Sequence, residues 1–254
     1  MTGFRLSRSL LVIAATLGIA AAAWAEAIFP VNDAGSGNWV FDQPSVVADG
    51  SVLHVAFVGD NTAGAGSPSL NTRVYYAAVN GGANFANNAT TRSEVLVTAP
   101  VAIDNVLFNN ARHPQIALRS STELAILFQA IPVGDTNYKL FLAKVTIGSN
   151  AVTSQRVDEI RDAAGARIPG KLTDPSFDLV PNGDTMVLAF SSSPSLVAVP
   201  PYSDVYYARA WLDNARVVDT SILLTKTASS TGVSALPRIQ LDANNYSHIA
   251  WAPN

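Results

Sequence analysis

The sequence predicts an all-β chain, a β-propeller of four-stranded antiparallel blades with three blades complete and a fourth partial. Three observations predict this. One phrase occurs four times: a proline, an alternating apolar stretch, a turn, and a second apolar stretch closing on an aromatic residue. The copies run from Pro44 to Phe57, Pro114 to Phe128, Pro175 to Phe190 and Pro237 to Trp251. Successive repeat prolines lie 70, 61 and 62 residues apart, a period suited to a repeated sheet unit. After the first 25 residues no sustained 3.6-residue apolar period appears, so helices should be few.

Residues 1–25 read as a signal peptide rather than as part of the fold. Arg5 and Arg8 form a basic start, Leu10 to Ala23 is almost wholly apolar, and Ala23-Trp24-Ala25 supplies small residues at the −3 and −1 positions. Cleavage after Ala25 predicts a secreted or periplasmic bacterial protein. The apolar run is short for a bilayer span, so no membrane insertion is expected after cleavage. The chain has no cysteine, which excludes disulfide staples, thiol catalysis and cysteine metal sites. Without Arg5 and Arg8, 14 basic residues face 19 acidic ones, a net charge of about −5. No basic run follows the signal, so nucleic acid is not an expected partner.

The propeller domain spans 26–254, with blades at approximately 42–105, 112–165 and 173–230 and a partial blade at 235–254. In each blade the first two strands form a hairpin. Leu53, Val55 and Phe57 alternate with His54, Ala56 and Val58, the period of a strand. Asp49-Gly50-Ser51 and Pro181-Asn182-Gly183-Asp184 mark the turns. Third strands follow at Arg73–Val79, Tyr138–Val145 and Asp204–Trp211, and fourth strands at Ser93–Thr98, Ser154–Ile160 and Ser221–Thr227. The last copy stops after its hairpin. A half-blade leaves an open end, which predicts a fragment of a larger propeller; closure of a four-bladed ring by Ile28–Phe41 is the alternative.

The phrase His-Val-Ala-Phe or His-Ile-Ala-Trp, followed by Val-Tyr-Tyr-Ala, resembles the sialidase-type (BNR, Asp-box) β-propeller superfamily. Asn80-Gly-Gly-Ala-Asn-Phe85 is similar to a degenerate Asp-box, with Asn80 at the Asp position and Phe85 at the Trp position. The resemblance covers about residues 40–252. It implies a propeller, and in the active members three arginines gripping a carboxylate, a Tyr–Glu nucleophile pair and an Asp acid/base. The only trace of the first arginine's motif is Arg167-Ile168-Pro169, which falls in the connector between the second and third blades. A turn-rich linker with Gly165, Pro169 and Gly170 is the favoured reading of that tripeptide.

Comparison of the copies assigns most other chemistry-bearing residues to packing and turns. His54 and His248 share a slot with Ala125 and Val187, which marks it as a packing position, and His113 stands alone before Pro114. Arg112 and Arg238 lie on opposite sides of their repeat prolines and form no common slot. Asp49, Asp174, Asp184 and Asp242 suit turns. The oxygen-rich loops Gly59–Ser67 and Asp242–Asn245 fit calcium by ligand type, without EF-hand spacing; no other cofactor is expected.

Two functions follow. The first is an exported, non-catalytic propeller that binds a glycan, protein or surface partner through loops on one rim. The inserts Asp60–Asn71 and Ser191–Ser203 follow second strands and so leave the same rim. Asp60, Asn61, Ser67, Asn71, Tyr202 and Ser203 are the candidate ligand-binding residues. The second is a sialidase-like glycoside hydrolase, for which Arg167 is the one motif candidate and the catalytic residues are unassigned.

Overall fold

In the computed structural model the described residues are 40–50, 52–60, 72–80, 93–96, 108–148, 151–181, 183–193, 204–218, 222–224 and 234–253. The signal peptide, Gly81–Phe85, Asn61, Ser67, Asn71, Tyr202 and Ser203 fall outside them. Every described element is a strand, and the strands form four antiparallel sheets in sequential order. Sheet 1 holds β1 (Val40–Asp49), β2 (Val52–Asp60), β3 (Arg73–Asn80) and β4 (Ser93–Leu96). Sheet 2 holds β5 (Phe108–Ser120), β6 (Glu123–Pro132), β7 (Lys139–Gly148) and β8 (Ala151–Glu159). Sheet 3 holds β9 (Lys171–Leu179), β10 (Thr185–Ser193), β11 (Asp204–Trp211) and β12 (Ile222–Leu223). Sheet 4 pairs β13 (Ser234–Leu241) with β14 (Ser247–Pro253).

The first strands bring the sheets together: β1 packs on β5, β5 on β9, and β9 on β13. Each carries its repeat proline inside a bulge. Register shifts span Asp42/Ser45 in β1, Arg112/Gln115 in β5 and Ala235/Arg238 in β13, and a shift in β9 falls around Pro175. Proline has no N–H to give a ladder, so a bulge is where a strand tolerates it. The residue before it takes up the distortion. His113, Asp174 and Leu236 have φ of 51, 53 and 55°, in the left-handed region that non-glycine residues avoid.

Residues around these prolines then bond the next sheet. The Ile116 N–H donates to Ser45 Oγ at 3.1 Å, and the Ile239 N–H donates to Ser176 Oγ at 3.1 Å. Both serines follow a repeat proline, and both isoleucines lie two residues after one. The Leu241 N–H donates to Asp178 Oδ2 at 2.8 Å, a second bond between β13 and β9. Between sheets 2 and 3 the serine position holds Gln115, which bonds its own Pro114 carbonyl. Other groups join that interface, as described below.

Alternation on the strands feeds two different cores, because sheets 2 and 3 are covered on both faces. Leu124, Ile126 and Phe128 of β6 pack with Ala56, Val74 and Tyr76 of sheet 1. Ala125 and Leu127, pointing the other way, pack with Met186, Leu188 and Phe190 of sheet 3. Val187 and Ala189 in turn meet Ile239 of sheet 4. Strands buried on both faces read as continuous apolar runs, as β6 does.

The shared histidine slot therefore faces the following sheet. His54 is 2% exposed and its Nδ1 lies 2.8 Å from the Tyr76 hydroxyl, as a packing position should. His248 is a correction to that reading. It is exposed and its Nε2 lies 3.2 Å from Asp242 Oδ2. Its slot points away from sheet 3, where no further sheet covers it among the described residues.

Replacing Ser176 with Ala leaves the buried Ile239 N–H without its partner. Stability measured by urea denaturation should fall by about 1–2 kcal/mol. Burial pushes the His54 pKa below its ordinary value, against an opposing pull from Asp49. The unfolded chain then binds the proton more readily, so stability is full above about pH 6.5 and declines as pH falls through the folded pKa. Thermal unfolding between pH 7.5 and 5 should show this decline, and His54→Gln should flatten it.

Candidate functional site

Antiparallel order places the start of each first strand and the end of each second strand on one rim. The connections β2–β3, β6–β7 and β10–β11 leave from that rim. Asp60 ends β2 there by its backbone position, and Asp204 opens β11 there. The flanks of both inserts thus share a rim, as the strand count predicts.

On this rim, β5 and β9 meet around Tyr138, the residue before β7. Three non-glycine residues with positive φ surround the meeting point: Asn110 at 54°, His113 and Asp174. Backbone strain of this kind persists only where neighbours over-determine it, and it concentrates at functional sites. The neighbours here are specific. The Ala111 N–H donates to the Thr72 carbonyl at 2.9 Å, and Thr72 Oγ1 returns a bond to the Ala111 carbonyl at 2.9 Å. Buried Asn110 accepts at Oδ1 from Arg112 Nε at 3.0 Å and from Thr72 Oγ1 at 3.3 Å. The Leu172 N–H donates to the Tyr138 carbonyl at 3.0 Å. The Asp174 N–H donates to Gln129 Oε1 at 2.6 Å.

The side chains supported by this frame include two cations beside one aromatic ring. Arg112 lies with its guanidinium carbon 5.8 Å from the centroid of the Tyr138 ring, and Lys171 Nζ lies 5.7 Å from the same centroid. Both distances fall in the cation–π range. His113 Nδ1 is 3.0 Å from Asp174 Oδ1. Burial works to raise the Asp174 pKa, but the His113 contact, the Thr173 hydroxyl and the charge of Arg238 outweigh it and hold the carboxyl below the usual range. Burial raises the Tyr138 pKa, against opposing effects of Arg112 and Asn110. The site can therefore present a fixed ionised carboxylate, donor-rich cations and an aromatic face.

Asp174 and His113 correct the expectations drawn from the sequence. Asp174 is not a turn acid but a strained bulge residue, and His113 does not stand alone, because the bulges of adjacent first strands bring the two together. Arg238, set apart from Arg112 by position in the repeat, acts on the carboxylate beside Arg112's neighbour His113. The signal that could have found the cluster is the dipeptide before each proline: Arg112-His113 and Thr173-Asp174 are polar where Ala235-Leu236 is not. Asn110, Tyr138 and Lys171 carried no comparable signal.

Arg167 lies in the connector between β8 and β9. Its Nη2 donates to Glu159 Oε2 at 3.1 Å and its Nε lies 2.8 Å from Oε1, an ion pair with a buried carboxylate. Its Nη1 also reaches Asp135 Oδ2 at 3.4 Å. Lys139 Nζ donates to the carbonyls of Ile168 and Gly170 at 2.9 and 2.7 Å, and its burial lowers its pKa. Gly170 has φ +80°, and a Cβ there would meet the Ser193 carbonyl at 2.7 Å. These groups fasten the connector down. Asp242 is engaged too: its Oδ1 accepts from the N–H groups of Asn244 and Tyr246. Among the described residues no group of three or more His, Cys, Asp or Glu could hold a metal ion.

No protein family matches the sequence, and neither does any curated protein. Solved structures do match in fold. The alpha-L-arabinanase of Cellvibrio cellulosa, solved with arabinohexaose, has a TM-score of 0.50 at 11% identity, over 83% of this chain and 67% of that one. The sucrose-6-phosphate hydrolase of Lactobacillus gasseri has a TM-score of 0.50 at 11% identity, over 81% of this chain and 40% of that one. The chain thus has a β-propeller fold of the kind found in glycoside hydrolases. The likeness carries the propeller that the sequence predicts and does not extend to the sialidase type.

Replacing Arg167 with Ala removes the main cation from a carboxylate that is 4% exposed, leaving Arg161 at 3.7 Å. The unfolding free energy should drop by about 2 kcal/mol, less than for a fully buried pair because Arg167 is itself partly exposed. Denaturant titration checks this, and Glu159→Gln should cost less.

Proposed function

We propose that this protein is an exported β-propeller that engages a glycan on the rim where the first strands begin. The observation that carries the reading is the supported cluster of Asn110, Arg112, His113, Tyr138, Lys171 and Asp174. Its strained backbone is held by bonds from three sheet elements, and its charged and aromatic side chains stand where the connections between second and third strands leave. A preorganised rim with an aromatic platform and a few directed polar groups is what sugar recognition needs. The solved propellers of similar fold are named for enzymes acting on glycosides, which supports a glycan over a protein ligand. In this reading the inserts Asp60–Asn71 and Ser191–Ser203 also contribute to binding, with Asp60, Asn61, Ser67, Asn71, Tyr202 and Ser203 as candidates. Export through the signal ending at Ala25 places the protein outside the cytoplasm, among extracellular or periplasmic glycans.

A hydrolytic version of the same site has one specific observation in its favour. Glycoside hydrolysis uses two carboxylates, and Asp174 is an acid held ionised at the rim. Asp42, two residues before Pro44, occupies in β1 the place that Arg112 occupies in β5, so a second acid shares this rim by backbone position.

Glycan-array binding followed by calorimetry on the hits tests the main reading. Asp174→Asn should weaken binding about tenfold, the worth of one charge-assisted contact and its support, while Asp184→Asn at the opposite ends of the strands should leave it unchanged. Absence of any glycan hit would sink the reading. Reducing-end release from the bound glycan, abolished in Asp174→Asn and Asp42→Asn, would establish the hydrolytic version; binding without turnover would exclude it.

A further inference from the structure

Among the described residues several cations of the fold are paired with carboxylates, and the two beside Tyr138 are not. Arg119 faces Asp184, Glu123 and Asp213; Lys144 faces Asp213; Arg156 faces Asp158; Arg161 and Arg167 face Glu159. Arg112 and Lys171 have no carboxylate partner among the described residues, although the chain as a whole carries a net charge of −3. Arg238 adds a third positive charge, and its own bond goes to the Pro237 carbonyl. Asp174, beside them, has Oδ1 3.0 Å from His113 Nδ1. Like charges held beside one aromatic ring repel each other unless an anion joins them.

The geometry of Arg112 shows what anion would fit. Its Nε is taken by Asn110 Oδ1, which holds the guanidinium plane beside the Tyr138 ring. The terminal nitrogens have no partner among the described residues and form the edge that grips a planar carboxylate through parallel bonds. Lys171 comes to the same ring from the next sheet, its Nζ 5.7 Å from the centroid. Asn110 is buried and strained, so the orientation of Arg112 is built into the strand rather than left to a free surface side chain.

We propose that the rim recognises an acidic glycan, with Arg112 and Lys171 gripping the carboxylate of a uronic acid unit beside Tyr138. This deepens the glycan reading above and rests on it. Asp174, ionised and adjacent, excludes an anion from its own side and so orients the sugar with its neutral hydroxyls toward Asp174. A neutral glycan would leave the cations without a counter-charge and lose the main attraction.

Calorimetry of the full chain with oligouronates (galacturonate, mannuronate and guluronate series), neutral oligogalactan and sugar monophosphates tests this. An oligouronate should bind at least about tenfold more tightly than the neutral oligosaccharide, and its affinity should fall as salt rises. Methyl esterification of the uronates removes the charge without altering the protein and should reduce binding by a similar factor. Arg112→Gln and Lys171→Gln should each reproduce that loss with unchanged melting temperature, and Arg112→Lys should recover part of it. Undiminished binding of the methyl ester, or equal binding of the neutral oligosaccharide, would overturn the acidic assignment while leaving the glycan reading in place. Tighter binding of a sugar phosphate would overturn the carboxylate in favour of another anion. No binding of any sugar would remove both.

Discussion

The rest of the structure depends on the bulge at each repeat proline. A proline inside a strand removes one ladder bond, and the strand answers by bulging and turning the preceding residue left-handed. That distortion frees backbone N–H groups from their own ladder and points them across to the next sheet. Ser45 and Ser176 accept such bonds from Ile116 and Ile239, so successive first strands are tied by a repeated polar contact. The apolar packing between sheets is large but directionless. The bonds at the bulges set the register in which those apolar faces meet.

The same device builds the rim. The interface between sheets 2 and 3 lacks the serine bond, because Gln115 folds back on Pro114. There the left-handed residues themselves are polar, and His113 meets Asp174 directly. Tyr138, Gln129 and Thr72 then serve as supports contributed by neighbouring strands. Departure from the repeat at one interface thus replaces a structural joint with a cluster of polar side chains at the rim.

Charge is distributed unevenly between the two ends of the strands. At the end away from the rim, Arg119 and Lys144 are shared among Asp184, Glu123 and Asp213 across sheets 2 and 3. Exposed pairs of this kind contribute little stability each. In the connector, Arg167 and Lys139 are consumed by Glu159 and by backbone carbonyls. Arg112 and Lys171 are not paired in this way among the described residues, and their shared place beside the Tyr138 ring is what the proposed recognition of an acidic glycan rests on.

The architecture was legible because it rests on local rules: period-two alternation, turn residues and a proline returning at a steady interval. These determine strands, their antiparallel order and the burial of both faces, and they correctly make His54 a packing residue. The sequence by itself also determined that chemistry would lie in what does not repeat. Only the tertiary structure decided which non-repeating residues meet. His113 and Asp174 are 61 positions apart and join because two bulges face each other; Arg167 is drawn away from the rim chemistry by a buried Glu159 that no spacing linked to it. His248 repeats the slot of His54 and yet is exposed, since burial belongs to the neighbouring sheet and not to the residue. Strand pattern is a property of successive residues, whereas a site is a property of distances between distant ones.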